Sequence, residues 1–362
     1  MMENGLAEYL LDALNLGASD LHVTCGLPPM VRVDGEVRPL EYPPLSPNVT
    51  RDLIYDILTE DQRRRFENAW ELDFSYEIPR LARFRVNVFR QRGAIGAVFR
   101  TIPHEIKSLE ELGLPGVIGE MADSPRGMIL VTGPTGSGKS TTLAAMVDRI
   151  NDTRRGHIMS VEDPIEFLHT HKRCIVNQRE VDQDTKSFAE ALKRVLRQDP
   201  DVILVGEMRD LETISMALTA AETGHLVLAT VHTQDAPQTV DRIIDVFPPY
   251  QQGQIRAQLA NTIQGIVTQT LVPRRGGGRV VACEILVPTP GVRNMIREGK
   301  THQIYSAMQT GGKFGMQTMD AALAELVRRG VVSREEAGKR CANLEEFRRL
   351  CGGAVGVATG RG

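Results

Sequence analysis

Four short apolar runs in the middle of the chain each end in polar residues. The runs comprise residues 128–132, 158–161, 202–205 and 226–230. Buried-type runs of this length, separated by segments with helical periodicity, are typical of central strands in a largely parallel sheet. Open α/β sheets bind ligands at the carboxyl ends of their strands. We therefore predict an α/β core in which the polar residues after the four runs lie at one site.

The chain before residue 101 has a different pattern. An amphipathic helix is predicted over residues 1–16, and short alternating strands such as 29–33 and 84–88 follow it between Gly and Pro turn signals. Helical periodicity dominates the C-terminal part. The predicted division is a small α+β domain over 1–100, a linker over 101–115, the α/β core over 116–290, a helical part over 291–351 and a disordered tail over 352–362.

The composition indicates a globular protein whose overall charge offers no positive electrostatic field to nucleic acid. Hydrophobic residues make up 41% of the chain and charged residues 25%, and the formal net charge is -3. This balance counts against non-specific nucleic-acid binding.

The five cysteines are far apart and form no C-x-x-C pair, which favours a reducing compartment. Acids interrupt the first sixteen residues, and no apolar run approaches the roughly 18 residues of a membrane span. We expect a cytoplasmic protein that is at most peripheral to a membrane.

The segment from Gly133 to Ser140 matches the phosphate-binding pattern G-x-x-x-x-G-K-[ST] between a predicted strand and a predicted helix. Its glycines let successive N–H groups turn inward around a phosphate, and the helix N-terminus adds partial positive charge. Lys139 is predicted to contact the β- and γ-phosphates and to act in catalysis, and Ser140 to ligate Mg²⁺. The predicted nucleotide-binding residues are Gly133, Pro134, Thr135, Gly136, Ser137, Gly138, Lys139, Ser140 and Thr141.

Carboxylates follow two of the other predicted strands. Glu162 and Asp163 come after the second run, and Glu207 comes after the third. A phosphoryl-transfer site needs one acid to hold Mg²⁺, usually through water, and another to orient the attacking water. Glu207 is the candidate for the metal and Glu162 for the water. The alternative is that either acid caps a helix or pairs with a nearby arginine such as Arg209.

Two histidines flank the fourth predicted strand. His232 follows its carboxyl end, whereas His225 stands at the opposite end. His232 is a candidate sensor of the γ-phosphate. A structural hydrogen bond is the alternative, because it is the commoner role of a single histidine.

Six arginines and no acid occur between Arg80 and Arg100. Strand alternation places Arg83 and Arg85 on one face, opposite the side chains of Phe84 and Val86. Three interpretations are open: a solvated strand face, arginine fingers that reach the γ-phosphate of a neighbouring subunit, and a nucleic-acid groove. The groove lacks interleaved exposed aromatic residues for stacking on bases.

Three segments after the phosphate-binding loop carry a family resemblance. The segments SVEDPIEF at 160–167, LVGEMRD at 204–210 and TGHLVLATVHT at 223–233 resemble the Asp box, Walker B box and His box of the secretion-superfamily ATPases. The resemblance extends over nearly the whole chain and is closest to the ATPases that retract type IV pili. A short N-terminal domain with SDLHV at 19–23, the absence of a tetracysteine element and GVRNMIRE at 291–298 distinguish them from the pilus-assembly ATPases.

This resemblance implies a homohexameric ring with a RecA-like core and a PAS-like N-terminal domain in each subunit. It implies Mg-ATP as substrate, Glu162 as catalytic glutamate, Glu207 as the Walker B acid, and roles in sensing or trans activation for His232, Arg83 and Arg85. It further implies pilus retraction and twitching motility at the cytoplasmic face of the inner membrane. The implied partners are a platform protein in that membrane and an accessory paralogue.

Two other functional classes remain as alternatives to a retraction motor. A nucleic-acid translocase is one, since RecA-like hexamers often act on DNA, but the charge balance opposes it. An ATP-binding scaffold without turnover is the other. It would not need both Glu162 and Glu207. An accessory pilus ATPase is the alternative within the same family.

Overall fold

The computed structural model describes residues 5–33, 35–79, 81–102 and 105–352. The predicted tail, apart from Gly352, and the first four residues of the predicted N-terminal helix lie outside the described residues. The chain divides into two compact units. The first extends to Glu105 and also includes Pro164–Leu168; the second comprises Ile106–Asp163 and the chain from His169 onward.

The first unit is an α+β domain built on an antiparallel sheet. Its six strands are arranged in the order β3-β2-β1-β6-β5-β4. The elements are α1 Leu6–Asn15, β1 Asp20–Val23, β2 Met30–Val33, β3 Glu36–Pro39, α2 Pro47–Tyr55, α3 Glu60–Ala69, β4 Glu71–Ile78, β5 Ala82–Gln91 and β6 Ala94–Ile102. Strand β6 therefore occupies the first two residues of the predicted linker.

Alternation along β5 explains how this sheet forms its core. Phe84, Val86 and Val88 are fully buried, whereas Arg85 between them is exposed. Successive strand side chains point to opposite faces, so one face packs in the core and the other carries the arginines. The predicted separation of the two sets of residues is confirmed.

The second unit is an α/β domain with a seven-stranded sheet in the order β13-β12-β7-β11-β10-β8-β9. Its sheet-forming part contains α4 Gly116–Ala122, β7 Gly127–Thr132, α5 Lys139–Thr153, β8 His157–Glu162, β9 Ile175–Glu180, α6 Phe188–Val195, β10 Val202–Val205, α7 Leu211–Glu222, β11 Leu226–Val231, α8 Ala236–Asp245, α9 Pro249–Thr262, β12 Ile263–Pro273 and β13 Arg279–Leu286. The four predicted strands are β7, β8, β10 and β11. All neighbouring pairs are parallel except β12 and β13.

Both faces of this sheet are covered. Met128 and Leu130 of β7 pack into a cluster with residues of α6 to α9, whereas Ile129 and Val131 pack into a second cluster with residues of α4 and α5. Strands buried on both faces are continuously apolar, which is why the runs could be found in the sequence. The predicted α/β class and the mainly parallel sheet are confirmed.

Helices dominate the rest of the second unit. They are α10 Pro290–Arg297, α11 Ile304–Thr310, α12 Met319–Arg328, α13 Arg334–Gly338 and α14 Leu344–Leu350, with short 3-10 turns at Thr301–Gln303 and Gly312–Phe314. In α10, Val292 and Ile296 are fully buried and Met295 is partly buried, so the segment has the apolar stripe of an amphipathic helix. Within the described residues, no helix combines the length and apolar character needed to cross a bilayer.

Candidate nucleotide-binding site

The phosphate-binding loop connects the end of β7 to the start of α5. Gly138, at the N-cap of α5, has φ +93°, and no side chain caps the helix, so its first N–H groups face the loop. The predicted loop residues differ in exposure: Pro134, Thr135 and Gly136 are exposed, Gly138, Ser140 and Thr141 are half-buried, and Gly133, Ser137 and Lys139 are buried. The loop therefore presents an uncapped helix N-terminus together with a buried ammonium group.

Two features of the loop fit a bound phosphate. Ser137 Oγ is buried and has no hydrogen-bond partner among the described residues. Such an unmatched hydroxyl is costly unless a ligand or water supplies the missing partner. At Gly133, an added Cβ would lie 2.3 Å from Gln269 O and 2.7 Å from Ser137 Oγ, and φ is +132°. Only glycine permits this close approach, which brings the start of the loop against β12 and the Ser137 hydroxyl.

Lys139 is folded over the loop that precedes it. Its Nζ donates hydrogen bonds to Gly133 O at 2.9 Å and to Pro134 O at 3.0 Å. The side chain is buried, so the positive charge is held within the loop instead of in bulk solvent. A phosphate oxygen in the loop would be a stronger acceptor for this ammonium than the two carbonyls, because both partners would be charged.

Four neighbouring parallel strands end at the same edge of the sheet as this loop. Next to β7 in the sheet come β11, β10 and β8, in that order. His232 follows β11, Glu207 follows β10, and Glu162 is the last residue of β8. Gly206 N donates to Val161 O at 2.8 Å, and a Cβ at Gly206 would lie 3.2 Å from Glu162 Cα. The ends of β8 and β10 are therefore in close contact, and the two acids stand on adjacent strand ends.

Glu207 receives two cationic or hydrogen-bonding partners on one oxygen. His232 Nε2 lies 3.2 Å from Glu207 Oε1, and Arg209 Nε donates to the same oxygen. Burial tends to raise the pKa of Glu207, but the hydrogen bond from Arg209 and the charges of His232 and Arg209 outweigh it, so its pKa lies below the ordinary value. Glu207 is thus a carboxylate in this site. The predicted alternative, a pairing with Arg209, coexists with the contact to His232.

Glu162 ends β8 and is held by two uncharged side chains. Ser160 Oγ donates to Glu162 Oε1 at 2.7 Å, and Gln178 Nε2 of β9 donates to the same oxygen at 3.2 Å. An oriented carboxylate next to a phosphate site is the arrangement that general-base or water-orienting chemistry requires.

His225 lies at the other end of β11, as its sequence position predicts. Its Nδ1 is 3.0 Å from Ala220 O and 3.2 Å from Thr223 Oγ1, at the end of α7. These contacts connect α7 to the start of β11. His225 therefore has a structural environment away from the strand ends that carry the acids.

Arg83 and Arg85 belong to the first unit. Arg83 Nη2 donates to Ser75 Oγ at 2.6 Å and Nη1 lies 3.8 Å from Glu77 Oε2, and its side chain is only 15% exposed. Arg85 is exposed and forms no ion pair with the described residues. The two arginines thus differ although they share a strand face. A role in trans stays a prediction for both.

Sequence patterns missed several residues that shape the site. Gln269 of β12 is buried, and its Nε2 donates to Thr142 Oγ1 of α5 at 2.8 Å while its backbone oxygen faces Gly133. Nothing local in the sequence marks Gln269, because its role depends on β12 pairing with β7. Ser160 could have been found, since residues two apart on a strand share a face. It stands two residues before Glu162.

A family model for type II/IV secretion system proteins matches residues 1–277. The chain belongs to this family. The match includes the phosphate-binding loop, both acids, His232 and the strand with Arg83 and Arg85. The resemblance to the secretion-superfamily ATPases is thereby confirmed.

Members of the family with given functions are similar to this chain over most of their length. A type IV pilus retraction ATPase, PilT of Pseudomonas aeruginosa, is 55% identical over 94% of this chain and 99% of the relative. The type IV pilus ATPase PilU of the same organism is 45% identical over 89% of this chain and 84% of the relative. A crystal structure of the pilus retraction motor PilT with bound ADP superposes with a TM-score of 0.90 at 49% identity, covering 96% of this chain and all of the other.

Proposed function

We propose that this protein is an ATPase motor that powers type IV pilus retraction by hydrolysing Mg-ATP. The observation that carries the proposal is the meeting of a phosphate-binding loop, Glu162, Glu207 and His232 at the ends of four adjacent parallel strands. The retraction ATPase PilT is more similar to this chain than the pilus ATPase PilU, at 55% against 45% identity. The retraction role is therefore favoured over that of a PilU-like accessory ATPase.

Nucleotide binding follows from the loop and from the ADP in the related PilT structure. The N–H groups at the start of α5 and Lys139 bind the phosphates, and the hydroxyl of Ser137 gains the acceptor that it lacks. Ser140 and Glu207 supply oxygen atoms of the kind that Mg²⁺ prefers and would hold the ion. The ion supplies charge neutralisation at the phosphates when bound. ATP as the nucleotide also agrees with the absence of an N-K-x-D guanine motif from the sequence.

Glu162 orients and activates the water that attacks the γ-phosphate. Ser160 and Gln178 orient the carboxylate by hydrogen bonds to one of its oxygens. His232 connects the site to β11 by its contact with Glu207. A change in the position of His232 therefore changes the position of Glu207, the acid assigned to Mg²⁺.

The proposed working form is a homohexamer. Arg83 and Arg85 of one subunit act at the γ-phosphate of its neighbour, where an arginine finger contributes roughly 10³ to 10⁵ in rate. The exposed Arg85 suits this role more directly, whereas Arg83 must leave Ser75 and Glu77. The ring drives a platform protein of the inner membrane from its cytoplasmic face, alongside a PilU-like paralogue. We assign it no nucleic-acid partner.

Complementation of retraction tests this function. The gene is expressed in a type IV piliated bacterium that lacks its own retraction ATPase, and the retraction of single labelled pili is recorded. We expect retraction to return with the wild type and to be absent with Lys139→Ala, which loses its phosphate contact. ATP turnover that is stimulated by single-stranded DNA, without any restored retraction, would contradict the proposal and favour a translocase.

A further inference from the structure

Glu284 is a buried acid that the sequence patterns do not single out. It lies on β13, is only 2% exposed, and pairs in register with Thr268 of β12. Thr268 Oγ1 is 2.8 Å from Thr132 Oγ1, at the end of β7 just before the phosphate-binding loop. Glu284 is thus two strands away from the strand that carries the loop. A buried carboxylate at such a position requires strong hydrogen-bond donors.

The N-termini of two helices lie at this carboxyl group. Glu284 Oε1 accepts from Ala236 N, the first residue of α8, at 2.8 Å, and the backbone of Met319, the first residue of α12, is near enough to the carboxyl to lower its pKa. Helix N-termini carry unmatched N–H groups and partial positive charge, so they stabilise an anion. One side chain therefore lies at the starts of two helices that are more than eighty residues apart in sequence.

The helix α8 is closely linked to the histidine of the candidate site. Only Thr233, Gln234 and Asp235 separate His232 from α8. Thr233 Oγ1 is 2.6 Å from Thr239 Oγ1, and Asp235 accepts from Gln238 N at 2.7 Å, so this short connection is fixed to the first turns of α8. A shift of the α8 N-terminus therefore moves His232 relative to Glu207.

The start of α12 is fixed to β13 by further contacts. Ile285 and Gln317 exchange backbone hydrogen bonds of 2.9 and 3.1 Å, and Gln317 Nε2 donates to Cys283 O at 2.7 Å. The segment before α12 thus pairs with β13 on both sides of Glu284. Glu284 is therefore the point at which the start of α12 and the start of α8, the helix connected to His232, come together.

We propose that Glu284 is a positioning residue that couples the N-terminus of α12 to the N-terminus of α8 and thereby sets the position of His232 for turnover. The inference rests on the proposed ATPase function. It gives the C-terminal helices a physical connection to the nucleotide site. Glu284 lies on β13, two strands away from β7, and it acts only through the two helices.

The ionised form of Glu284 is the one that can serve both helices. A carboxylate has only acceptor oxygens, whereas a protonated carboxyl presents an O–H to one of the two N–H groups. Burial raises the pKa of Glu284 to about 7, the N–H groups of Ala236 and Met319 partly oppose this, and the neighbouring Asp235 and Asp320 add to it. The coupling therefore changes near neutral pH.

The variant Glu284→Gln tests the coupling, with Asp320→Asn as its matched control. Asp320 is also a fully buried carboxylate that accepts two backbone N–H groups, those of Ala342 at 2.7 Å and Asn343 at 2.9 Å, but it does not contact α8 through either bond. We expect Glu284→Gln to lower kcat by about tenfold at pH 8, with little change in the KM for ATP. The wild type should gain kcat as the pH rises through about 7, Asp320→Asn should show the same gain at a lower pH because Asp320 raises the pKa of Glu284, and Glu284→Gln should lack this rise.

A double-mutant cycle with His232→Ala shows whether Glu284 acts through His232. In the His232→Ala background, Glu284→Gln should reduce kcat by much less than tenfold, because residues that act as one unit are not additive. Full additivity, or a Glu284→Gln variant with wild-type kcat and an unchanged pH profile, would overturn the inference.

Hydrogen exchange of the wild-type protein provides a test that needs neither a variant nor activity. After correction for intrinsic exchange, protection of the amide of Ala236 or Met319 should fall as the pH is lowered from 8 to 6. Protection of both amides that is independent of pH would contradict the coupling even if ATP is hydrolysed. A wild type that does not hydrolyse ATP would contradict the proposed function, and hydrogen exchange would still decide whether Glu284 holds both helices.

Discussion

His232 Nε2 lies 3.2 Å from Glu207 Oε1, and the two residues follow the neighbouring parallel strands β11 and β10. The contact joins His232, which stands at the start of the segment between β11 and α8, to Glu207, the acid assigned to the metal. The side chain of Glu207 is 19% exposed and that of His232 40% exposed, so solvent screens the pair only in part. Movement of helices in the second unit can therefore change the position of Glu207 through its contact with His232.

Replacing His232 should reduce turnover more than nucleotide binding. We expect His232→Ala to lower kcat by about ten- to a hundredfold, because Glu207 loses one of its two partners and the phosphate-binding loop is unchanged. The pKa of Glu207 should rise, since His232 contributes to lowering it. The control is His225→Ala, at the opposite end of β11, which should retain wild-type kcat. Equal losses in both variants would show that the effect is structural. Steady-state phosphate release gives both values.

Glu162→Gln should separate binding from hydrolysis. The amide keeps the size of the side chain but cannot accept a proton, so ATP affinity should be retained while turnover falls by at least about a hundredfold. Fluorescent nucleotide titration and phosphate release measure the two effects. Gln178→Ala, which removes only a hydrogen bond at 3.2 Å to the same carboxylate, should cause a smaller loss. Undiminished hydrolysis by Glu162→Gln would remove the assignment.

Two alanine substitutions in the phosphate-binding loop separate crowding from backbone strain. Gly133→Ala places a Cβ 2.3 Å from Gln269 O, whereas Gly136→Ala, at φ +76°, meets nothing within 4 Å. A left-handed backbone costs a non-glycine residue roughly 1–2 kcal/mol. We expect Gly136→Ala to lower stability by about that amount, and Gly133→Ala to lower it further and to abolish nucleotide binding. Thermal unfolding with and without ADP measures both, and similar behaviour of the two variants would contradict the crowding at Gly133.

Glu284 should make stability depend on pH in the opposite direction from an ordinary carboxylate. Its folded pKa of about 7 lies above the ordinary glutamate value of 4.5, so the folded state binds the proton more tightly than the unfolded state. Stability from this group is present below about pH 4.5 and is lost as the pH rises to about 7, by about 3 kcal/mol in all. Urea unfolding should show that Glu284→Gln loses less stability than the wild type over this range. Parallel curves for the two proteins would refute the prediction.

The sequence was sufficient to predict those parts of the site that depend on local pattern. The strands β7, β8, β10 and β11 are buried on both faces and hence apolar without interruption, which makes them recognisable. Once they are taken as parallel, the rule that ligands bind at strand ends brings Glu162, Glu207 and His232 together. Lys139 and Ser140 follow from the spacing of the glycines.

Contacts between segments distant in sequence could not be predicted in this way. Gln269 reaches Thr142 across 127 positions, and Glu284 reaches Ala236 across 48. Both contacts depend on the order of β12 and β13 in the sheet, which no local period encodes. The inclusion of Pro164–Leu168 in the first unit is a further example, because only Asp163 separates this segment from β8 of the second unit in the sequence. Such features are set by topology.

The most direct test of the ring motor is ATP turnover as a function of protein concentration, with the size of the oligomer recorded in parallel. The wild type is compared with Arg85→Ala and Arg83→Ala, and with Arg63→Ala as a control arginine of the first unit that pairs with Glu67. We predict that specific activity rises as hexamers form, that the Arg83 and Arg85 variants assemble but are nearly inactive, and that Arg63→Ala resembles the wild type. Activity that is independent of assembly and of both arginines would contradict it.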